Sequence, residues 1–317
     1  MIALGLVMAI PIATVGCQER EEPQVKAAPA GALSSTLVPN MDLDVYLYIK
    51  QGSPTTLPAD MINAPLDIGV ESLAIWGVST EDEFAFGGAL TLTSAAQAAK
   101  VHSQIAPRSD VWSKLSDHTI YLVCGSGTAA ELLRRAITNN DFKYYDDSKG
   151  LRAVATLPGG GTTKLAGVAV ARPSKALISY IARGGDTEGL GMVNTMLTLA
   201  RLEVIAAGLY SPDQIDVARV AMAMEREGGI PNLDLGILVL LKSGLPGFVV
   251  EPAVKKFLTE PDFTERSLGE LTLYHGSIDT GQGQAIPVLV RIEGNYVFAA
   301  ISGKESYAQT LITSINK

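Results

Sequence analysis

Between the apolar run "TIYLVC" and the helix-forming run "TAAELLRRAI" stand Gly125, Ser126 and Gly127, so that Gly125, Gly127 and Ala130 spell G-x-G-x-x-A. At a strand-to-helix corner this spacing can bind a pyrophosphate, because glycines admit the phosphate to the backbone and the helix N-terminus presents free N–H groups. Asp146 and Asp147 follow at about the 20-residue distance where a ribose-binding acid belongs. Two features weigh against a nucleotide. A similar corner later in the chain reads Ser302, Gly303, Lys304 without the double glycine, and the flanking segments read as hairpins rather than strand-helix-strand crossovers. The corner is therefore expected to be structural, with a dinucleotide-binding or enzymatic domain at Gly125–Ala130 as the alternative.

Other chemistry-bearing residues are more dispersed. "LPGGGTTK", Leu157 to Lys164, lacks the G-x-x-x-x-G-K-[ST] spacing of a phosphate loop and reads as a hairpin turn. Cys124 has His118 nearby in sequence, but six strand residues separate them by ~20 Å, too far for a nucleophile and its base. Cys124 is expected to be a buried thiol. His102, His118 and His275 have no mutual metal-ligand spacing, so neither a metal nor a cofactor is expected. Trp76 and Trp112 read as core or rim residues. In "SLGELTLYHGSIDTGQGQ", Tyr274, His275 and Asp279 precede a glycine-rich loop and could line a polar mouth, although an exposed hairpin end explains them as well.

Cys17 stands apart. Met1 to Gly16 contain no charged residue and include Pro11, an apolar run shorter than the ~20 residues that span a bilayer. Thr14, Val15 and Gly16 immediately precede the cysteine, and the chain then turns abruptly to "QEREE". This step resembles the lipobox of bacterial lipoproteins, with Thr14 where leucine is more usual. The resemblance implies that residues 1–16 are a signal peptide, that the Cys17 sulfur receives a diacylglyceryl group, and that acyl chains of the palmitate kind anchor the new N-terminus. The absence of a basic residue before the run is also what a start codon upstream of Met1 would leave. The implied partner is a membrane, cell or outer, reached through the lipid from the extracytoplasmic side. Two or three acyl chains, at ~0.8 kcal/mol per buried methylene, suffice for stable anchoring.

Composition narrows the partners. The 317 residues carry a net charge of −8, and no Lys/Arg cluster suits a nucleic acid or anionic lipid heads. With Cys17 lipidated, Cys124 is left without a disulfide partner, so stability must come from a core, for which 47% apolar content is ample.

Four segments are expected to follow from this: the signal peptide 1–16, a lipidated flexible tether 17–36, and two α+β modules at 37–188 and 189–317. The tether, polar and rich in Pro, Ala and Ser, would span about 25 Å as a coil. After the strand run "LVPNMDLDVYLYIK", Val70–Thr93 reads as a hairpin around the acidic turn Ser79–Glu83 and matches Val217–Lys242, with Gly87 on Gly236. Val111–Cys124 then matches Val288–Ile301 without a gap, placing Lys114 on Arg291 and Cys124 on Ile301. Helices are expected at 95–105, 128–137, 253–258 and 305–315, giving a repeated hairpin-helix-hairpin-helix module. The repeat favours strand over helix for 217–226. A third hairpin is expected at Leu151–Ala171, a helix at 174–183, and a buried apolar helix at Leu190–Leu209. Mostly antiparallel sheets with helices on one face make this an α+β protein. The serial pattern resembles uncharacterised bacterial extracytoplasmic proteins, a resemblance that implies no activity.

Overall fold

The computed structural model describes residues 33–50, 55–57, 66–80, 83–107, 109, 111–159, 164–174, 177, 201–211, 235–258, 263–279 and 285–315. The first half contributes β1 (Leu37–Pro39), β2 (Val45–Lys50), β3 (Thr55–Leu57), β4 (Leu66–Ile68), β5 (Val70–Ser79), β6 (Phe84–Leu92), α1 (Ala95–Ile105), β7 (Val111–Ser116), β8 (Thr119–Cys124) and α2 (Gly127–Thr138). Then come β9 (Phe142–Tyr144), α3 (Ser148–Ala155) and β10 (Lys164–Ala171). The second half supplies β11 (Leu202–Ser211), β12 (Gly236–Ser243), α4 (Gly247–Leu258), β13 (Phe263–Leu268), β14 (Leu271–Asp279), β15 (Ala285–Glu293), β16 (Tyr296–Ser302) and α5 (Glu305–Thr313).

Among the described residues twelve strands form one sheet in the order β13-β14-β15-β16-β12-β11-β10-β2-β5-β6-β8-β7, with every neighbouring pair antiparallel. The α+β architecture with mostly antiparallel sheet is as expected. Residues 37–188 and 189–317 meet where β10 pairs with β11, so both halves share this sheet. β1 pairs with β9 and β3 with β4 as separate two-stranded ribbons.

Both faces of the sheet carry helices, rather than one. Because side chains alternate across a strand, Trp76, Val123, Val170, Ala206, Leu240 and Phe298 line one face, where α2, α3 and α5 pack. The opposite face holds Ile120 and Leu92 under α1, and Val239, Val290 and Ile301 with Val250 and Val254 of α4. α2 shows how sequence dictates such packing. Ala129, Ala130, Leu133, Ala136 and Ile137 recur at helical spacing and are all buried, while Glu131 and Arg135 stay exposed.

Several expectations are corrected. Leu151–Ala155 is not strand but the end of α3, whose first turn is capped by Asp147 through the Lys149 amide (3.1 Å) and whose Gly150, Ala153 and Val154 bury one face. Leu202–Leu209 is not helix but β11. Flanked by β10 and β12, it is apolar on both faces, and a strand buried on both faces has the same sequence signature as a buried helix. α4 begins at Gly247, six residues before its expected start, and runs through Pro252. A proline inside a helix costs ~3 kcal/mol, but burying Val249, Val250, Val254 and Leu258 returns about 1.5–3 kcal/mol each, so packing prevails. Residues 33–36, expected to end the flexible tether, belong to the packed body: Leu33 is fully buried and the Thr36 and Tyr46 hydroxyls are hydrogen-bonded. The expected strand at 217–226, residues 190–200 and most of 174–183 lie outside the described residues. Among the described residues no helix is long and apolar enough to cross a membrane.

Candidate functional site

The G-x-G-x-x-A corner lies between β8 and α2. Gly125 and Gly127 have φ of +110° and +84°, which side-chain-bearing residues rarely adopt, so both glycines are required by the turn itself. Ser126, the N-cap of α2, makes no side-chain capping bond. Two amides of the helix N-terminus are nonetheless capped, because Glu83 reaches them from the β5–β6 turn. Its Oε2 accepts from the amides of Thr128 (2.5 Å) and Ala129 (3.3 Å). The carboxylate occupies the position a phosphate would take and complements the positive end of the helix dipole. A Cβ at Gly127 would collide with that carboxylate. On the other side Arg134 Nη2 donates to the Gly125 carbonyl (3.0 Å), tying the corner back to the helix.

The acids expected to bind a ribose are elsewhere. Ala171 pairs with Val45, Val45 with Gly77, Gly77 with Phe86 and Phe86 with Cys124, so four strand spacings of ~4.8 Å, about 19 Å, separate Arg172 from the glycines. Asp147 belongs to the Arg172 end. It accepts from Arg172 Nε (2.9 Å), pairs with Nη2 (2.6 Å), and takes the Tyr145 hydroxyl at 3.3 Å. Burial pushes its carboxyl upward, but Arg172, the Gly150 amide and Tyr145 outweigh burial and hold it below the ordinary carboxylate value. Asp146 pairs with Lys143 at the surface (3.3 Å).

The remaining candidates do not converge. Cys124 is exposed, not buried: it ends β8 beyond the cluster that α1 forms over Ile120 and Leu122. His118 sits in the turn at the other end of that strand, on Asp117 (2.6 Å). His102 faces Ser113 (3.2 Å) and His275 lies 3.4 Å from Glu305. Tyr274 and His275, adjacent in β14, point to opposite faces, with Tyr274 buried in the core beside α4, so they do not share a polar mouth. Asp279 ends β14. Trp76 is fully buried against Tyr121 and Phe142. Trp112 is half-buried at the edge of the sheet.

Glu83 was within sequence reach as the last acid of the "TEDE" turn, but nothing local signals that it caps a helix 45 residues on. A groove of ≈ 380 Å³ also escaped the sequence, lined by Trp112, Glu131, Arg134, Arg135, Thr138 and Asn139. Its signal was the i, i+3, i+4, i+7 stripe Glu131, Arg134, Arg135, Thr138 on the solvent side of α2.

No protein-family model matches the chain, and no curated protein matches it. Among solved structures, crystal form IV of TP0453 is similar over 90% of this chain and 96% of that one, at 10% identity and a TM-score of 0.36. Neither activity nor role transfers at that level.

Proposed function

We propose that the protein is a lipid-anchored extracytoplasmic lipoprotein whose α+β body binds a partner or serves the structure of the envelope without turnover. The observation that carries the reading is the step from an uncharged apolar run through Thr14, Val15 and Gly16 to Cys17 and a polar segment. Diacylglyceryl on Cys17 would hold the body at the cell or outer membrane, and in that body Leu33 is already buried in the core. Glu83 supports a binding or structural role over the dinucleotide alternative, since a pyrophosphate would have to displace a carboxylate already on the α2 amides.

The duplicated module belongs to this reading. In its favour, β6-β8-β7 followed by α2 parallels β12-β16-β15 followed by α5. Lys114 Nζ donates to the carbonyls of Ile137 (2.9 Å) and Thr138 (3.3 Å) at the end of α2, and Arg291 Nη1 to that of Ile312 (3.4 Å) at the end of α5. With Cys124 on Ile301, their sheet partners place Phe86 on Ile237, so Gly87 falls on Leu238, two residues from the Gly236 match.

Intact mass of the protein extracted from membranes tests the anchor. Diacylglyceryl at Cys17 is expected, and Cys17→Ala should leave an unprocessed precursor; an unmodified N-terminus elsewhere overturns the reading.

A further inference from the structure

Among the described residues, the groove beside Trp112 adjoins an unpaired sheet edge. β7 is the last strand of the sheet, and among the described residues nothing pairs with its outer side. Its two-residue turn with β8, Asp117–His118, makes Ser116 and Thr119 a hydrogen-bonded pair. Alternation along the ladder then bonds Lys114 with Tyr121 and Trp112 with Val123, and turns the N–H and C=O groups of Val111, Ser113 and Leu115 outward. An edge with three consecutive outward donor-acceptor sets is a template for another extended chain.

The side chains above that edge select among extended chains. Trp112 and Lys114 rise on the face that carries α2, and Lys114 is committed to the helix carbonyls. Beyond Trp112 stand Arg134 and Arg135 with a single carboxylate, Glu131, among the groove residues. Arg134 already serves Gly125 (3.0 Å) and lies 4.0 Å from the Glu131 carboxylate, a contact an incoming carboxylate would have to share, while its Nε is buried without a hydrogen-bond partner. Arg135 is exposed at the groove wall. An extended segment laid on β7 would project every second side chain over Trp112 and toward these guanidiniums.

We propose that the β7 edge and the α2 groove form a binding site for an extended acidic peptide, added to the sheet as a thirteenth strand with its carboxylates on Arg134 and Arg135. Backbone hydrogen bonds to Val111, Ser113 and Leu115 supply register, the indole supplies an apolar wall, and the arginines supply the preference for acid. This deepens the binding half of the proposed function and rests on it. Lipidation of Cys17 is a separate matter, since the site lies wholly within the folded body.

The test uses the full chain in detergent micelles and a terminally blocked six-residue peptide alternating valine and glutamate, with the lysine-for-glutamate peptide beside it. The glutamate peptide should bind saturably and slow amide exchange across 111–116, while the lysine peptide should bind at least about tenfold more weakly. Arg135→Glu, at an exposed position, should reverse the preference between the two peptides. Ser113→Pro, which removes an outward N–H and leaves the ladder to β8 intact, should abolish binding of both. The proposal is overturned by absence of saturable binding, by equal affinity for the two peptides, or by binding without protection of 111–116. It is overturned too if sedimentation shows that a second copy of the chain already occupies the edge. Cys17→Ala should bind the peptide like wild type, so loss of the anchor and loss of this site are distinguishable.

Discussion

The two ends of the sheet solve one problem with different parts. In each half a hairpin pairs through its second strand with an inner strand, β8 with β6 and β16 with β12, and leads into a helix lying back on the sheet, β7–β8 into α2 and β15–β16 into α5. In the second half the carboxylate at the helix start is local: Glu305 occupies the first turn of α5 and also meets Arg266 and His275. In the first half it comes from Glu83, and the double glycine admits it. The basic residue at each helix end differs in setting. Arg291 is 4% exposed and held by Glu293 (2.6 Å), whereas Lys114 reaches its carbonyls from a partly exposed strand. The second half adds β13 and β14 outside its hairpin, which leaves β7 as the outermost strand of the first half. A glycine-rich turn that reads like a nucleotide site is thus the first half's way of seating a distant cap.

Substitutions should separate the halves in a fixed order. Arg291→Ala removes a buried charge that bridges Glu293 and the end of α5, and should cost about 2–4 kcal/mol in denaturant unfolding. Equal costs for Arg291→Ala and Lys114→Ala would break the contrast, because Lys114→Ala should cost no more than ~1 kcal/mol.

At the junction between the halves, Asp147→Asn should cost about 1.5–3 kcal/mol at neutral pH by removing the partner of Arg172. Since the folded Asp147 pKa lies below the ordinary value near 3.9, the unfolded chain binds its proton first. The stabilisation is therefore complete above that value and disappears as pH falls through the lower, folded-state pKa. Acid titration of stability should show Asp147→Asn converging on wild type at the low end, and a constant gap down to full protonation would contradict the assignment.

Glu83→Ala should cost about 1 kcal/mol, typical of a lost helix cap. The smallest effect on stability is a matter of reactivity. Cys124 in the native protein should react quickly with a thiol reagent, while an Ile301→Cys variant made in a Cys124→Ser background should react slowly, because Ile301 is packed in the cluster that includes α4. Comparable rates would mean that the two ends are covered alike.

Much of the fold was legible where one periodicity stood alone. The β5–β6 hairpin alternates around an acidic turn, and α2 carries a clean buried stripe, so both were readable from the chain. Reading failed where tertiary contact decides. β11 is apolar on both sides because strands pair on each edge and residues pack on each face, which erases the alternation. Residues 151–155, apolar but for Arg152, read as readily as a strand, but the Asp147 cap and the small Gly150 and Ala153 fit them as a helix against β10 and β11. The burial expected for Cys124 was borrowed from Ile301 and failed because α1 covers the turn end of its hairpin, leaving the other end open. The glycine corner was legible in place and in backbone demand. Its occupant was not, since Glu83 joins it only through the fold.

The most direct measurement is calorimetric titration of NAD into the full chain, alongside Glu83→Gln and Gly127→Val. With Glu83 seated on the Thr128 and Ala129 amides, the wild-type protein is predicted to give no saturable heat. Saturable binding to wild type that Gly127→Val abolishes would contradict the account and make the Gly125–Ala130 corner a nucleotide site.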